Sequence, residues 1–194
     1  MRVYCATSNL GKLREFRRGL QGIVDIETVP QLASIVAPEE TGTTFEENAV
    51  LKALYYAKFC DGLIFTEDSG LEVDALGGEP GVYSARFAGP HASDEDNNRV
   101  LLEKLQGVEH RDARFVSVIA LAQDSQIRQV FRGVVEGQIL DAPRGLNGFG
   151  YDPLFYHPPF SCSFGEAALE SKMQVSHRGQ ALALMLDFLK GLKC

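Results

Sequence analysis

Two apolar runs of strand length, Ala113 to Ala122 and Ile127 to Val135, are separated only by Gln123-Asp124-Ser125-Gln126, and no other feature narrows the folding options of this chain so far. β-Branched and aromatic residues over such lengths favour extended backbone, and a short polar break between two such runs turns the chain back as a hairpin. The pair lengthens a larger sheet, for which other strands are at hand. Val3-Tyr4-Cys5-Ala6 reads as a first buried strand, Ile23 to Val29 alternates apolar and acidic residues as a half-exposed strand would, and Leu63-Ile64-Phe65 is short enough for one more buried strand. Helical periods lie between them. Leu13, Phe16 and Leu20 set one; Phe45, Ala49, Ala53, Leu54 and Ala57 set a second, opened by a Thr44/Glu47 capping box and running to about Cys60. A third runs from a Ser93 cap to about Gln106, with Val100, Leu101 and Leu105 as its stripe and a structural role. The last opens across Glu170 to Leu182, with Ser176 as N-cap, and continues through Met185, Phe188 and Leu189.

A chain of 194 residues with 45% hydrophobic content can build a real core as one large domain or two closely joined lobes. Its net charge of −7 and pI near 5.1 argue against nucleic acid or an anionic membrane as partner, so an anionic ligand would need a locally basic pocket. Cys5, Cys60, Cys162 and Cys194 are scattered and show no metal-ligand spacing, which predicts reduced thiols. The chain enters a strand at once and has no apolar run of about 18 residues, so a cytoplasmic location is expected. No internal repeat or linker divides it.

Chemistry gathers where these elements meet polar segments. After Leu63-Ile64-Phe65 come Thr66, Glu67, Asp68, Ser69 and Gly70, and the glycine predicts that the strand ends between the two acids. Adjacent strand side chains point to opposite faces, so Glu67 and Asp68 cannot share a partner while the strand continues. Carboxylates at the end of a buried strand suit a hard cation such as Mg²⁺. A polar turn whose Asp and Ser cap the next segment accounts for the same residues. The first strand leads through Thr7-Ser8-Asn9-Leu10-Gly11-Lys12 into a helix, aiming backbone N–H groups and a helix start at one spot where phosphate is favoured. The Walker spacing is absent, and Asn9 as a plain cap with a solvated Lys12 explains the loop equally. Asn48 and Lys52, four apart, share a helix face for which solvation is the simple account. Gly77-Gly78-Glu79-Pro80-Gly81 is a tight turn, after which Arg86 could serve phosphate or pair with an acid. Gly145 to Pro153 is too glycine-rich for a helix or strand interior, yet carries Phe149, Tyr151 and Asp152: either backbone closely approaches something there or the chain simply turns. Lys172, His177 and Arg178 cluster at a helix start, a poor place for stability and a good one for an anion, although a solvated helix start is the commoner meaning of Ser-His-Arg.

Thr66 to Phe87, T-E-D-S-G-L-E-V-D-A-L-G-G-E-P-G-V-Y-S-A-R-F, resembles the central signature of the inosine triphosphate pyrophosphatase family, which hydrolyses dITP, ITP and XTP. The likeness extends in order from Tyr4 to Leu186: T-x-N-x-x-K in the first loop, E-E-T-G-x-T-F-x-E-N-A-x-x-K-A around Glu40, G-F-G-Y-D-P, and K-x-x-x-S-H-R-G-x-A-L. Ser8 stands where the family often has Gly, and Ser161 to Phe164 does not align. The resemblance implies an α/β fold with an elongated, mixed, curved sheet flanked by helices, and two lobes with a central substrate cleft. Residues 1–194 would form that one two-lobed domain, usually as a homodimer with the Ser93 helix at or near the contact. It further implies Mg²⁺ held by Glu40 and Asp68, with Asp68 catalytic. The triphosphate would be bound by Thr7, Ser8, Asn9, Leu10, Gly11, Lys12 and Lys52, with Ser69 beside them. The purine would lie against Phe149, Gly150, Tyr151 and Asp152, and Lys172, His177 and Arg178 would face the nucleotide.

On this expectation water attacks the α-phosphorus and releases monophosphate and pyrophosphate, with cations and donors meeting the charge that develops. Asp68 is the candidate to activate the water and Glu67 to assist it. A phosphotransferase forming an aspartyl phosphate would want a second acid two residues after the first, where Gly70 stands. A general nucleotide pyrophosphatase, or a nucleotide-binding protein without turnover, would use the same basic cleft.

Overall fold

Seven strands join in one mixed sheet in a computed structural model of the chain, which describes residues 1–192. In chain order the elements are β1 (Arg2–Cys5), α1 (Leu10–Leu20), β2 (Asp25–Thr28), α2 (Phe45–Tyr56), β3 (Ile64–Val73), α3 (Asp94–Lys104), β4 (Asp112–Gln123), β5 (Gln126–Ile139), β6 (Phe155–His157), β7 (Cys162–Ser163), α4 (Leu169–Val175) and α5 (His177–Gly191), with short 3₁₀ turns between. The strand order is β2-β1-β3-β4-β5-β6-β7. β1 pairs in parallel with β2, Val3 opposite Ile26, and with β3, Tyr4 opposite Ile64. β6 pairs antiparallel with both β5 and β7. The mixed α/β class expected from the sequence is therefore the one observed.

The predicted hairpin forms between β4 and β5. Asp124 and Ser125 both adopt positive φ, 54° and 58°, as a two-residue turn matched to strand twist requires. β3 departs from expectation. It does not stop at Gly70 but runs ten residues to Val73, because Leu71 and Val73 continue the buried alternation and are fully enclosed. The C-terminal helical segment also differs. A separate short helix, α4, carries Lys172, while α5 begins at His177 directly after Ser176, which is extended (φ −66°, ψ 156°) as the expected cap would be. α2 ends at Tyr56 and passes into a 3₁₀ turn to Phe59.

Two compact units share the chain. The first comprises Met1–Asp68, Ser117–Gly133 and the chain from His177; the second comprises Ser69–Val116 and Val134–Ser176. In the first, Phe16 of α1 meets Phe65 of β3 edge to face at 5.1 Å, and α1 packs on α5. In the second, Phe115, Phe155 and Phe164 gather around Leu71, Leu101 and Leu105. Cys5, Cys60 and Cys162 are free thiols, and Cys194 lies outside the described residues. Among the described residues no helix is long and apolar enough to cross a membrane.

Candidate active site

Glu67 and Asp68 are neighbours in β3, and each has its own set of partners, as strand alternation demands. Asp68 Oδ1 accepts from Lys52 Nζ at 2.8 Å, and Oδ2 accepts from Asn48 Nδ2 at 3.4 Å. Lys52 Nζ also donates to Glu40 Oε1 at 2.9 Å, so one ammonium joins two carboxylates. The local sequence explains the placement. The Thr44/Glu47 capping box starts α2, and its next turn presents Asn48 and Lys52 on one face. Asn48 is fully buried and accepts from the backbone N–H of Gly42 at 2.8 Å, which ties the loop carrying Glu40 to the helix. Burial lifts the Asp68 carboxyl above its ordinary range, and Lys52 only partly opposes it. Burial disfavours the Lys52 ammonium, but Asp68 and Glu40 outweigh that and keep it charged.

Glu67 anchors the second half of this cluster. Its Oε2 pairs with Lys12 Nζ at 2.8 Å; its Oε1 accepts from Ser117 Oγ at 2.8 Å and from Arg178 Nε and Nη2 at 3.0 and 2.9 Å. The other side of the Arg178 guanidinium donates to Glu15 of α1. Burial would push Glu67 up, yet Arg178 and Lys12 hold it well below the usual carboxylate range. Lys12 is placed by the start of α1, where Asn9 Oδ1 accepts the Lys12 N–H at 2.9 Å and Thr7 Oγ1 accepts the Asn9 N–H at 3.2 Å. Asn9 is thus a helix cap and a member of the phosphate-loop motif at once.

The second unit holds a different arrangement. Asp152 Oδ2 accepts from the Phe149 N–H at 2.9 Å and from Lys172 Nζ at 2.5 Å. Lys172 is 2% exposed, and its Nζ lies 5.3 Å from the Phe149 ring centre and 5.5 Å from that of Phe164, within cation–π range. A Cβ on Gly148, which has φ +78°, would stand 2.0 Å from Asp152 Oδ2, so only glycine permits this loop to close on its own carboxylate. Tyr151 is buried, and its hydroxyl donates to the Ser84 carbonyl at 2.8 Å.

The model of the Ham1 family matches residues 3–188. This chain belongs to the Ham1 family. A dITP/XTP pyrophosphatase of Acidobacterium capsulatum is 48% identical to it across 97% of this chain and 98% of its own length. Another of Thermus thermophilus is 49% identical across 98% and 92%. The structure of the Staphylococcus aureus Ham1 protein matches with a TM-score of 0.88 at 42% identity, covering 98% of this chain and 99% of its own.

Within this Ham1 fold the residues singled out from sequence divide between the two units. Glu40, Lys52 and Asp68 converge, as do Lys12 and Arg178 on Glu67; Phe149, Asp152 and Lys172 converge separately. Ser8 is exposed and Leu10 is 75% exposed. Gly11 and Ser69 are half-buried, and His177 is enclosed. Solvation does not explain Asn48 and Lys52, which are turned inward. Nor are the lysines isolated cations: Lys12, Lys52 and Lys172 are each in contact with a carboxylate. Sequence reasoning missed Glu15 and Ser117. Glu15 did leave a trace, as the lone acid of a helix that also carries Lys12, Arg14, Arg17 and Arg18; Ser117 inside an apolar strand left none.

The donor set fits Mg²⁺. Among the described residues no group of three or more His, Cys, Asp or Glu forms a metal cage. Two convergent carboxylates, Glu40 and Asp68, are what Mg²⁺ takes when waters and substrate phosphates complete its shell. The first-unit cluster also sets four carboxylates, Glu15, Glu40, Glu67 and Asp68, against three cations, Lys12, Lys52 and Arg178.

Proposed function

We propose that this Ham1 chain hydrolyses dITP, ITP and XTP at the α–β phosphoanhydride, releasing nucleoside monophosphate and pyrophosphate. The observation that carries this is the Asp68 carboxylate, buried and held between Lys52 and Asn48, in a chain nearly half identical from end to end to proteins named dITP/XTP pyrophosphatase. Asp68 takes a proton from the attacking water as its oxygen bonds to the α-phosphorus; the bond from that phosphorus to the bridging oxygen breaks, and pyrophosphate leaves with the electron pair. Glu40 and Asp68 would hold Mg²⁺, which when bound supplies positive charge against the phosphate oxygens as charge develops on them. Lys12 and Lys52 serve the phosphate tail, and Glu67 keeps Lys12 in place. The loop from Thr7 to Lys12 adds N–H donors at the start of α1.

The purine is assigned to Phe149, which offers a ring face, with Gly150, Tyr151 and Asp152 shaping the loop. Lys172, His177 and Arg178 are assigned as donors. Hypoxanthine and xanthine present an accepting 6-oxo group where adenine presents a donating amine, so a donor-lined edge rejects ATP by leaving a buried donor unpaired. GTP shares the 6-oxo group, and its 2-amino group must meet an unfavourable contact elsewhere in the pocket.

Product analysis from a panel of triphosphates with Mg²⁺ tests the proposal. Pyrophosphate is expected as product, with kcat/KM for dITP, ITP and XTP at least about a hundredfold above that for ATP and GTP. Inorganic phosphate as product would instead favour a phosphatase, comparable rates on GTP a general pyrophosphatase, and no turnover a binding protein.

A further inference from the structure

The helix α3 reads from sequence as structural, yet two of its side chains point to a more specific task. Asp94 and Asn98 are four apart and share a helix face. Asp94 Oδ2 accepts the backbone N–H of Gly150 at 2.6 Å, and Asn98 Nδ2 donates to the backbone carbonyl of the same Gly150 at 3.0 Å. One residue is thus gripped at both its donor and its acceptor, as a neighbouring strand would grip it. Gly150 has φ +61°, a left-handed conformation in which L side chains are strained, and its immediate neighbours are Phe149 and Tyr151. Asn98 is buried and makes its hydrogen bond through the amide N–H₂ alone, so holding this carbonyl accounts for an amide at that place. The adjacent Asn97 holds a second segment, accepting from the Ala88 N–H at 2.8 Å and donating to the Ala85 carbonyl at 3.3 Å; beside it the Ser84 carbonyl receives the Tyr151 hydroxyl.

Resting on the assignment of the purine to the Phe149–Asp152 loop, we propose that Asp94 and Asn98 of α3 are positioning residues for base recognition. They fix Gly150 in its left-handed conformation and so keep the Phe149 ring and the Asp152 carboxylate in register with Lys172. They touch no substrate themselves. Lys12, Lys52 and the loop from Thr7 to Lys12, assigned to the phosphates, belong to the other unit, so loosening the clamp should degrade the reading of the base and spare the phosphates.

The chemistry of the two grips gives an asymmetric test. Asn98→Asp replaces a donor by an acceptor facing a carbonyl, whereas Asp94→Asn keeps an acceptor for the Gly150 N–H. For Asn98→Asp the KM for ITP should rise about tenfold and the preference for ITP over GTP should shrink, with kcat within about threefold of wild type. The inhibition constant of inorganic tripolyphosphate should stay within about twofold. Asp94→Ala should show the same pattern at about fivefold, and Asp94→Asn should return close to wild type. Arg99→Ala, on the exposed face of the same helix, should change none of these. Asp94 is exposed, so its pair of variants decides the matter if Asn98→Asp fails to fold. An ITP KM and base preference that stay at wild-type values would overturn the clamp, as would a uniform loss in which tripolyphosphate binding and kcat fall together with the ITP KM. Wild-type enzyme lacking preference for ITP over GTP would sink the base-pocket assignment and the clamp with it; a preference present in wild type and kept in Asn98→Asp sinks the clamp alone.

Discussion

The two units hold their candidate site residues with different forces. In the first, Glu15, Glu40, Glu67 and Asp68 meet Lys12, Lys52 and Arg178, and almost every grip is between ionised side chains. Around the Phe149–Asp152 loop of the second, the Lys172–Asp152 ion pair stands among hydrogen bonds to backbone: Phe149 N–H, Gly150 N–H and C=O, and the Ser84 carbonyl. Charge networks are strong at short range and indifferent to shape, which suits phosphate. Backbone grips set the form of a loop to fractions of an ångström, which suits telling one purine from another. The first arrangement should therefore fail by losing stability or turnover, the second by losing discrimination.

The largest break belongs to the charge network. Glu67→Ala takes from Arg178, only 2% exposed, one of its carboxylate partners, and from Lys12 its buried partner. Removing one member of a buried pair costs about 3–5 kcal/mol. Denaturant unfolding of Glu67→Ala should show a loss of that order; a loss below about 1 kcal/mol would mean that Arg178 and Lys12 readily find other partners.

Next in size is turnover. Asp68→Asn keeps the shape and the contact region of Lys52 but removes the charge that accepts a proton, and it should lower kcat by at least about a hundredfold while nucleotide still binds. Most of the activity surviving in Asp68→Asn would move the chemistry elsewhere in the cluster. Because Asp68 is assigned to the chemistry and not to the base, the ranking of ITP over GTP in whatever activity remains should be unchanged.

The legibility of the two units in the sequence differs for the same physical reason as their behaviour. Short-range signals were readable: the β4–β5 hairpin, the Thr44/Glu47 box and the Ser93 cap all formed where local chemistry put them. The extension of β3 past Gly70 was not, because a glycine marks a turn only if no tertiary core claims the residues beyond it, and Leu71 and Val73 are claimed. The loop motifs named the participants at Lys12, Asp68, Asp152 and Lys172. They did not say that each lysine meets a carboxylate, since pairing between residues far apart in the chain leaves no local mark. Asn48 shows the limit most clearly. Four-residue spacing from Lys52 put both on one face, but whether that face met water or Asp68 was a matter of tertiary structure.

A smaller effect separates tail from base. Lys12→Ala should weaken triphosphate binding by roughly 1.5–3 kcal/mol and monophosphate binding far less, because Lys12 is assigned to the phosphates beyond the first. Equilibrium binding of ITP and IMP to the two proteins measures the difference. Equal weakening of both ligands would take Lys12 out of the phosphate site and leave it as a structural partner of Glu67.

The smallest expected effect lies in the second unit. Phe149→Leu keeps an apolar side chain of similar reach, so the core around Phe155 and Phe164 has little reason to move. It removes the ring face that stands 5.3 Å from Lys172 Nζ and that is assigned to the purine. A cation–π contact is worth about 0.5–2 kcal/mol, and stacking on a base about 1–3 kcal/mol. The KM for ITP should therefore rise about three- to thirtyfold. Inhibition by tripolyphosphate, which has no base to lose, should hold at its wild-type value. If Phe149→Leu raises the tripolyphosphate inhibition constant as much as the ITP KM, the second unit is not confined to the base and the contrast between the two units dissolves. If it changes neither, the purine rests on some other surface, and the short Lys172–Asp152 contact beneath Phe149 is there to hold the loop alone.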